Sequence, residues 1–295
     1  MPVHMGGRGV FRSTFPMRAS FVLSLSLAFA LGVSCKKQTS AGGAGGRTDP
    51  AGISPIPGAL LVKQVDAWVN GDTTVTVYQY DAARLLIAEH VTGANPFDRY
   101  YNRDGLGRIV QRVWVEEGDS DIRNVVYADA SSGKIAYTLE ISGSGSSAYR
   151  DSEVYVYGGN DKPVRVGIFP VPASAYAQYD SFAYDAAGNL TQLLYYEGGN
   201  PFVLNIGYDF EYDNGINPLF SYDDARLTDE WGLSASPNNV LIQTNQYGDP
   251  PLRPSDDVIE TYVYRSDKKP ATATRGGTAL STNGAIVLNT IFYYQ

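Results

Sequence analysis

One unit recurs along this chain and limits its fold more than any other feature. It is an aromatic residue, any residue, a second aromatic, a short polar turn, and then an apolar alternation. Clear copies start at Tyr78-Gln-Tyr80, Tyr101-Asn-Arg103, Tyr155-Val-Tyr157, Phe182-Ala-Tyr184, Phe210-Glu-Tyr212 and Tyr262-Val-Tyr264, with a looser copy at Val125-Val-Tyr127. The turns that follow read Asp-Ala-Ala-Arg, Asp-Gly-Leu-Gly, Gly-Gly-Asn-Asp or Asp-Ala-Ala-Gly. Anchors at 80, 103, 127, 157, 184 and 212 lie 23 to 30 residues apart. The gap from 212 to 264 is close to two periods, and Ser236-Pro-Asn-Asn-Val240 near its middle reads as a degenerate turn.

In a strand, side chains i and i+2 share a face, so the two rings of each unit lie on one side. Asp bonds its own backbone two residues on, and Gly or Asn tolerates positive φ, which makes the polar stretch a tight turn. After it come alternating runs such as Arg108-Ile-Val-Gln-Arg-Val-Trp-Val-Glu116. Each unit is therefore a hairpin, and two strands plus turns account for the spacing. No comparable window shows a capped 3.6-residue period. The expected fold is all-β: an antiparallel meander of repeated hairpins forming an open or partly closed barrel-like sheet.

The first 58 residues carry a different message. Arg8, Arg12 and Arg18 precede an apolar run from Phe21 to Val33, which ends at Ser34-Cys35. A basic segment, a short apolar core and small residues make a secretory signal over residues 1–34, with Met17 an equally good start. The core is shorter than the roughly 20 residues a spanning helix needs. Cys35 is the sole cysteine of the chain. An exported thiol without a disulfide partner needs a reason, and its position resembles the lipobox of bacterial lipoproteins, although Gly32 stands where leucine is usual. The resemblance implies an acylated Cys35 and attachment to the lipid bilayer. Residues 35–58, rich in Gly, Ser and Pro, form a tether with a reach of about 25 Å. Residues 59–295 form the β domain.

The motifs YDAAGNL and DGLGRI are similar to the YD repeat of Rhs and teneurin-type proteins. The wider order of features is similar to Bacteroidota lipoproteins of unknown function with a porin-like or open β-meander fold. Those features include YDNGINPLF from Tyr212, SPNNV from Ser236 and YVYRSDKKP from Tyr262. The repeat's glycine is missing at Arg84, Asp161 and Asp267, and the spacing is uneven, so a closed Rhs-type shell is not expected. The resemblance transfers no catalytic residue. In such lipoproteins surface export goes with acidic residues after the cysteine. Lys36-Lys37-Gln38 here implies an outer-membrane anchor facing the periplasm.

Charge and residue types exclude several chemistries. Loss of residues 1–34 removes three arginines and no acid, which deepens the net charge from −8 to −11. Nucleic acid is a poor partner for such a surface. Beyond the signal only His90 remains, on an alternating stretch, and no Gly-x-Ser-x-Gly elbow presents a serine. Histidine-cluster and thiolate metal sites are excluded, and no cofactor or catalytic residue is expected. Glu116-Glu117-Gly-Asp119-Ser-Asp121, Asp223-Asp224 and Asp256-Asp257 read as solvated loops. Gly143-Ser-Gly-Ser-Ser147 lacks the Gly-Lys-Ser/Thr of a P-loop, and Asn189-Leu-Thr191 is a turn.

Tyrosine is in excess, 22 against 11 phenylalanines. A sheet with little helix cover favours rings with a wet end, and cross-strand aromatic pairs stabilise it. Tyr155, Tyr157, Tyr184, Tyr212, Tyr262 and Tyr264 are also the candidate ligand-stacking residues. The expected function is that of a non-enzymatic, lipid-anchored envelope module that binds a glycan or protein partner or serves as a scaffold. The alternatives are a glycan-acting hydrolase and a membrane-inserted barrel. Arg112 on one face of its strand and Gln111 on the other leave no clean lipid side for the last of these.

Overall fold

The computed structural model describes residues 58–131, 133–142, 149–159, 161–171, 178–198, 201–220, 236–247, 253–277 and 288–295. The expectations for the signal, for Cys35, for nearly all of the tether, for Gly143–Ser147 and for Asp223-Asp224 lie outside these residues.

Among the described residues sixteen strands follow one another: β1 Leu61–Trp68, β2 Thr73–Tyr80, β3 Leu86–Thr92, β4 Phe97–Arg103, β5 Ile109–Glu116, β6 Asp119–Tyr127, β7 Ile135–Ser142 and β8 Tyr149–Tyr157. Then come β9 Pro163–Pro170, β10 Gln178–Tyr184, β11 Leu190–Glu197, β12 Val203–Tyr212, β13 Val240–Tyr247, β14 Arg253–Tyr264, β15 Pro270–Gly277 and β16 Leu288–Tyr294. Every strand pairs antiparallel with its sequence neighbours, and β1 pairs with β16, so the meander closes into a barrel. Closure satisfies both sheet edges at once. No helix occurs among the described residues.

The aromatic-x-aromatic units end the even-numbered strands, and their turns all lie at one end of the barrel, here called the turn end. Five of these turns are built the same way. The residue after the last aromatic donates its N–H to the carbonyl four residues on, as in Asp81 to Leu85, Asp104 to Arg108, Asp185 to Asn189 and Arg265 to Lys269, each at 2.9 Å. The fourth residue takes positive φ: Arg84 at 65°, Gly107 at 83°, Asp161 at 61°, Gly188 at 91° and Lys268 at 63°. In the last turn the glycine position is therefore Lys268, one residue beyond the Asp267 expected. Side-chain oxygens of Asp81, Asp104 and Asp185 close three of these turns by accepting the N–H of residues 85, 108 and 189.

One extra residue follows each turn, so a β-bulge recurs at the same height, as at Gln79/Tyr80, Val126/Tyr127 and Ala183/Tyr184. Each bulge turns both the last aromatic and the first residue of the next strand inward. An eighth copy is split between the ends of the domain. Gln295 and Leu60 exchange two backbone bonds of 2.9 Å, and a bulge between Leu61 and Lys63 sets Tyr294 opposite Leu61. Ser236–Val240 is the return limb of the turn that begins at Tyr212, since Asp213 donates to the Asn239 carbonyl at 3.1 Å. The gap from 212 to 264 thus holds one period and an insertion. Asp256 and Asp257, expected in a loop, sit inside β14 opposite Asn245 and Thr244. There the extended backbone is held by the ladder whatever the side chains.

Candidate functional site

The barrel interior is layered. Closest to the turn end lies a ring of tyrosines with aliphatic partners across each bulge. Tyr80 donates to the Leu61 carbonyl at 2.6 Å, Tyr127 to Ile109 at 2.9 Å, Tyr212 to Leu190 at 2.6 Å and Tyr294 to Pro270 at 2.9 Å. Each hydroxyl thereby ties its hairpin to the hairpin before it. Arg103 replaces tyrosine in one copy and does the same with its guanidinium, donating to the Leu86 carbonyl at 3.1 and 3.0 Å. Cations after the turns lie over the rings of the next copy: Arg108 over Tyr127 at 4.2 Å and Lys162 over Tyr184 at 4.8 Å. Such contacts contribute about 0.5–1 kcal/mol each when partly exposed.

This ring and the layer above it are packed together. Leu61, Tyr78, Leu86, Tyr101, Ile109, Val125 and Ile135 form one buried cluster, and Leu190, Leu193, Tyr208 and Phe210 form another. Leu219, from the long β12–β13 connection, packs against the first cluster. That connection is fastened across the turn end by a bond from the Ile216 N–H to the Lys268 carbonyl at 2.9 Å, and its two limbs are joined by a bond from the Asn238 amide to the Gly215 carbonyl at 2.8 Å. A Cβ on Gly215 would sit 2.5 Å from the Tyr264 ring, so only glycine lets the segment lie this close.

The next layer toward the opposite end is charged. Glu89 accepts from the Tyr101 hydroxyl at 2.6 Å and from Arg99 at 3.1 Å. Arg112, 3% exposed, lies 3.7 Å from Glu140. Arg123 bonds Glu140 at 2.7 Å through Nε and lies 3.1 Å from Glu153, which accepts from Tyr155 at 2.6 Å. These groups make one ion-pair belt from β3 to β8. Burial lowers the Arg112 value, helped by the nearby Arg123 and opposed by Glu140. Burial also disfavours charge on Arg123, but Glu153 and Glu140 outweigh it and raise its value. Burial, with Glu89 adding to it, pushes the Tyr101 hydroxyl up.

Asp180 on β10 stands at the same height, beyond the end of the belt. Burial first, and Glu153 second, push its carboxyl up to about 7. Its Oδ1 is buried and has no hydrogen-bond partner among the described residues, and the same holds for the indole N–H of Trp114. Trp114 stacks on Phe97 at 4.4 Å, and the Arg99 guanidinium lies 4.6 Å from the indole ring. This upper layer combines aromatic surface and fixed charge with a buried donor and a buried acceptor that lack hydrogen-bond partners among the described residues.

All six singled-out tyrosines project inward. Tyr155 and Tyr262 donate to Glu153 and Glu260. Tyr157 accepts from the Ile135 N–H at 2.7 Å, and Tyr264 accepts from Asn239 at 3.2 Å. Tyr184 and Tyr212 pack against the second cluster. His90 faces outward on β3, 2.8 Å from Asp98, away from every carboxylate of the belt. Arg112 and Gln111 do lie on opposite faces: Arg112 points inward, while Gln111 lies outside, in a polar ladder with Asn102 and Asn124 at 2.8 and 3.0 Å. Glu116, Glu117 and Asp119 form the exposed β5–β6 turn, and Asn189 closes its own turn with its side chain buried.

Sequence reasoning missed Arg99, Arg123, Glu140, Glu153 and Asp180. The available signal was their placement two residues apart from the apolar positions, on the same side as the rings.

No protein-family model matches the chain, and no curated protein matches it. Among solved structures it is similar to a porin-like protein from Bacteroides uniformis, at 10% identity and a TM-score of 0.49 over 80% of this chain and 96% of that one. It is also similar to a porin-like protein from Bacteroides vulgatus, at 12% identity and a TM-score of 0.45 over 81% of this chain and 99% of that one.

Proposed function

We propose that the chain is a non-enzymatic, lipid-anchored module of the cell envelope, a water-facing barrel that binds a glycan or protein partner with its upper half. The observation that carries this proposal is the layering of the interior. The turn end is packed and crossed by the β12–β13 connection, whereas the upper layer holds Trp114 and Asp180 with unmatched polar atoms beside aromatic and charged groups. Glycan recognition uses this combination of ring faces and hydrogen-bonding groups. The tyrosines named above then serve as the floor beneath the ligand. Catalysis is less well supported: Arg123 holds both Glu140 and Glu153, and His90 lies outside.

The outer wall favours water over lipid. At mid-height it carries His90, Asn124, Asp209 and Thr244, and its polar residues bond across strands, as Gln192 does to Asp209 and Thr244 to Asp257, both at 2.9 Å. A lipid-facing wall shows an unbroken apolar band, and charge at mid-depth is costly there. The membrane-inserted alternative keeps two points in its favour, a sheet without edges and outward apolar side chains such as Val77, Val126, Val156, Ile259, Val263 and Ile291. Residues 59–295 are expected to stay dispersed without detergent, and strict dependence on detergent would promote that alternative.

The binding test is an envelope-glycan array with a parallel pull-down from envelope fractions. Trp114→Ala and Asp180→Ala are expected to weaken binding by the folded protein about tenfold, because each removes roughly one good contact of about 1.4 kcal/mol. Tyr212→Ala is expected to lower Tm and leave the affinity of the folded fraction unchanged. If neither glycan nor protein binds, the role left is that of a structural envelope scaffold.

A further inference from the structure

The outer wall is not uniform around the barrel. On β14, β15, β16, β1 and β2 the residues that alternate with the inward ones form continuous outward rows. Val263 stands opposite Thr272, Thr272 opposite Ile291, Ile291 opposite Val65 and Val65 opposite Val75. On one side of this row Tyr293, Lys63 and Val77 are in register, and on the other Thr261, Thr274, Asn289, Ala67 and Thr73. Val263 is 64% exposed, and Ile259, Ile291, Tyr293 and Val77 are exposed with it. Of the side chains in these rows Lys63 alone is charged. Its ammonium lies over the Tyr293 ring at 4.2 Å. Polar pairs mark the two borders, His90 with Asp98 at 2.8 Å on β3–β4 and Thr244 with Asp257 at 2.9 Å on β13–β14.

This apolar face is also where the tether arrives. Residues 1–57 precede Gly58, and Leu60 pairs with Gln295 where β1 meets β16. A second exposed group, Val126, Tyr137 and Val156, lies on β6–β8, across the barrel from β16. The tether joins on the first face and not on the second. With a reach of about 25 Å it holds the barrel at a high local concentration near its anchor, so a weak apolar contact is enough to set orientation. Apolar side chains that reach about 5–10 Å into the headgroup–acyl boundary make such a contact. Tyrosine rings and lysine ammonium groups suit the edge of that boundary, the ring at headgroup level and the ammonium in water. A barrel lying on one side needs apolar side chains on that side alone, unlike a spanning wall with its unbroken band.

Resting on the anchoring proposed above, we infer that the face formed by β14–β16, β1 and β2 is the surface on which the barrel lies against the lipid bilayer. Val263, Ile259, Ile291 and Val77 enter the headgroup–acyl boundary, and Tyr293 and Lys63 sit at its edge. The barrel axis then runs along the membrane plane. The upper layer with Trp114 and Asp180 opens sideways, parallel to the membrane, and the β6–β8 wall faces away from it.

The chain offers a clean test, because Cys35 is its only cysteine and acylation removes that thiol. Full-length lipoprotein carrying Thr261→Cys on this face, or Val156→Cys on the opposite wall, would be labelled with a fluorophore. It would then be placed in phosphatidylcholine nanodiscs whose lipids carry a quencher near the headgroup–acyl boundary. Sixteen strands about 4.8 Å apart put the two walls roughly 25 Å from each other. The label at 261 is expected to be quenched about fivefold more than the label at 156. High salt is expected to leave that ratio unchanged, because the contact is apolar. Val263→Asp with Ile291→Asp is expected to bring it to about one, whereas Val126→Asp with Tyr137→Asp leaves it at about five. Equal quenching at both sites, or a ratio that survives the first aspartate pair, overturns the inference and leaves the anchor standing. Energy transfer between 261 labels of two copies in one disc, without quenching by lipid, overturns it as well and gives the face to a second copy. A parent chain that takes up the thiol label and fails to enter discs overturns the anchor, and the docking face with it.

Discussion

The turn half and the upper half of this barrel are built from the same strands but held by different forces. In the turn half, rings and aliphatic side chains interdigitate, and hydroxyl-to-carbonyl bonds join hairpin to hairpin. Nearly every polar group there has its partner inside the repeat. In the upper half, the interior positions of the same strands carry Arg99, Arg123, Glu140, Glu153 and Asp180. Buried ion pairs add little net stability, because desolvation offsets most of their attraction. The contrast separates the half that folds the protein from the half proposed above to hold a ligand.

A core deletion tests the first part of that contrast with the largest effect. Leu193 is completely buried between Phe182 and Tyr208, its cross-strand partners in the second cluster. Leu193→Ala is expected to cost about 3–4 kcal/mol, the range for a cavity in a rigid core. Leu288 occupies an interior position of the upper half but is only half-buried, and Leu288→Ala is expected to cost about 1 kcal/mol. Urea midpoints measured on both variants decide the matter. Equal losses would mean the two halves are equally packed and would remove the basis of the comparison.

Acidity probes the upper half on its own. The Asp180 carboxyl titrates near 7 in the folded protein and near 4 when unfolded. Between those values the folded state binds the extra proton, so stability falls as pH rises through the window. The cost is complete above about pH 7 and absent below about pH 4. Asp180→Asn is therefore expected to stabilise the protein by about 2 kcal/mol at pH 8, after discounting for water at a partly open site, and to change nothing at pH 4. A gain of the same size at both pH values would place the effect in packing and not in charge.

The turn half was legible in the sequence because its unit combines three local signals: paired rings, a turn residue and an alternating run. Its exceptions have physical causes. Arg84 and Lys268 hold positive φ without glycine, at a strain of about 1–2 kcal/mol each, and so they blur the motif. Tyr294 and Leu61 form a complete bulge, but half of its turn lies at each end of the domain, where no local pattern can show it. For the same reason closure could not be read along the chain. Ser236–Val240 misled because an inserted segment separates the two limbs of one turn. Asn189 and Asn239 stand where other copies carry a cation, and here the β12–β13 connection supplies the reason. Asn189 pairs with Asn238 in both directions at 3.1 Å, and Asn239 reaches Tyr264. The charged layer stayed hidden for a different reason. Arg123 and Glu153 fall in register with the rings of their strands, but a charge in line with a dry face reads as the strand's exposed end and not as part of the interior.

The smallest expected effect sharpens the comparison by asking whether the ring at the turn end is defined by the bond or by the residue. Arg103 stands in a tyrosine position and bonds the Leu86 carbonyl with two nitrogens, while its third donates to the Gly107 carbonyl at 2.6 Å. Arg103→Met keeps the stem and removes every donor, so the buried Leu86 carbonyl loses these partners, at a cost of about 1–2 kcal/mol. Arg103→Tyr restores a hydroxyl at the height where Tyr80 and Tyr127 place theirs. It forgoes only the Gly107 contact, which lies near the exposed turn and can pass to water. A net change within about 0.5 kcal/mol is expected for this substitution. If Arg103→Tyr is as damaging as Arg103→Met, the hydroxyl ladder is not the organising element of the turn half. The equivalence of arginine and tyrosine in the ring would then be coincidental, and the repeat would have to owe its regularity to the bulge and the turn alone.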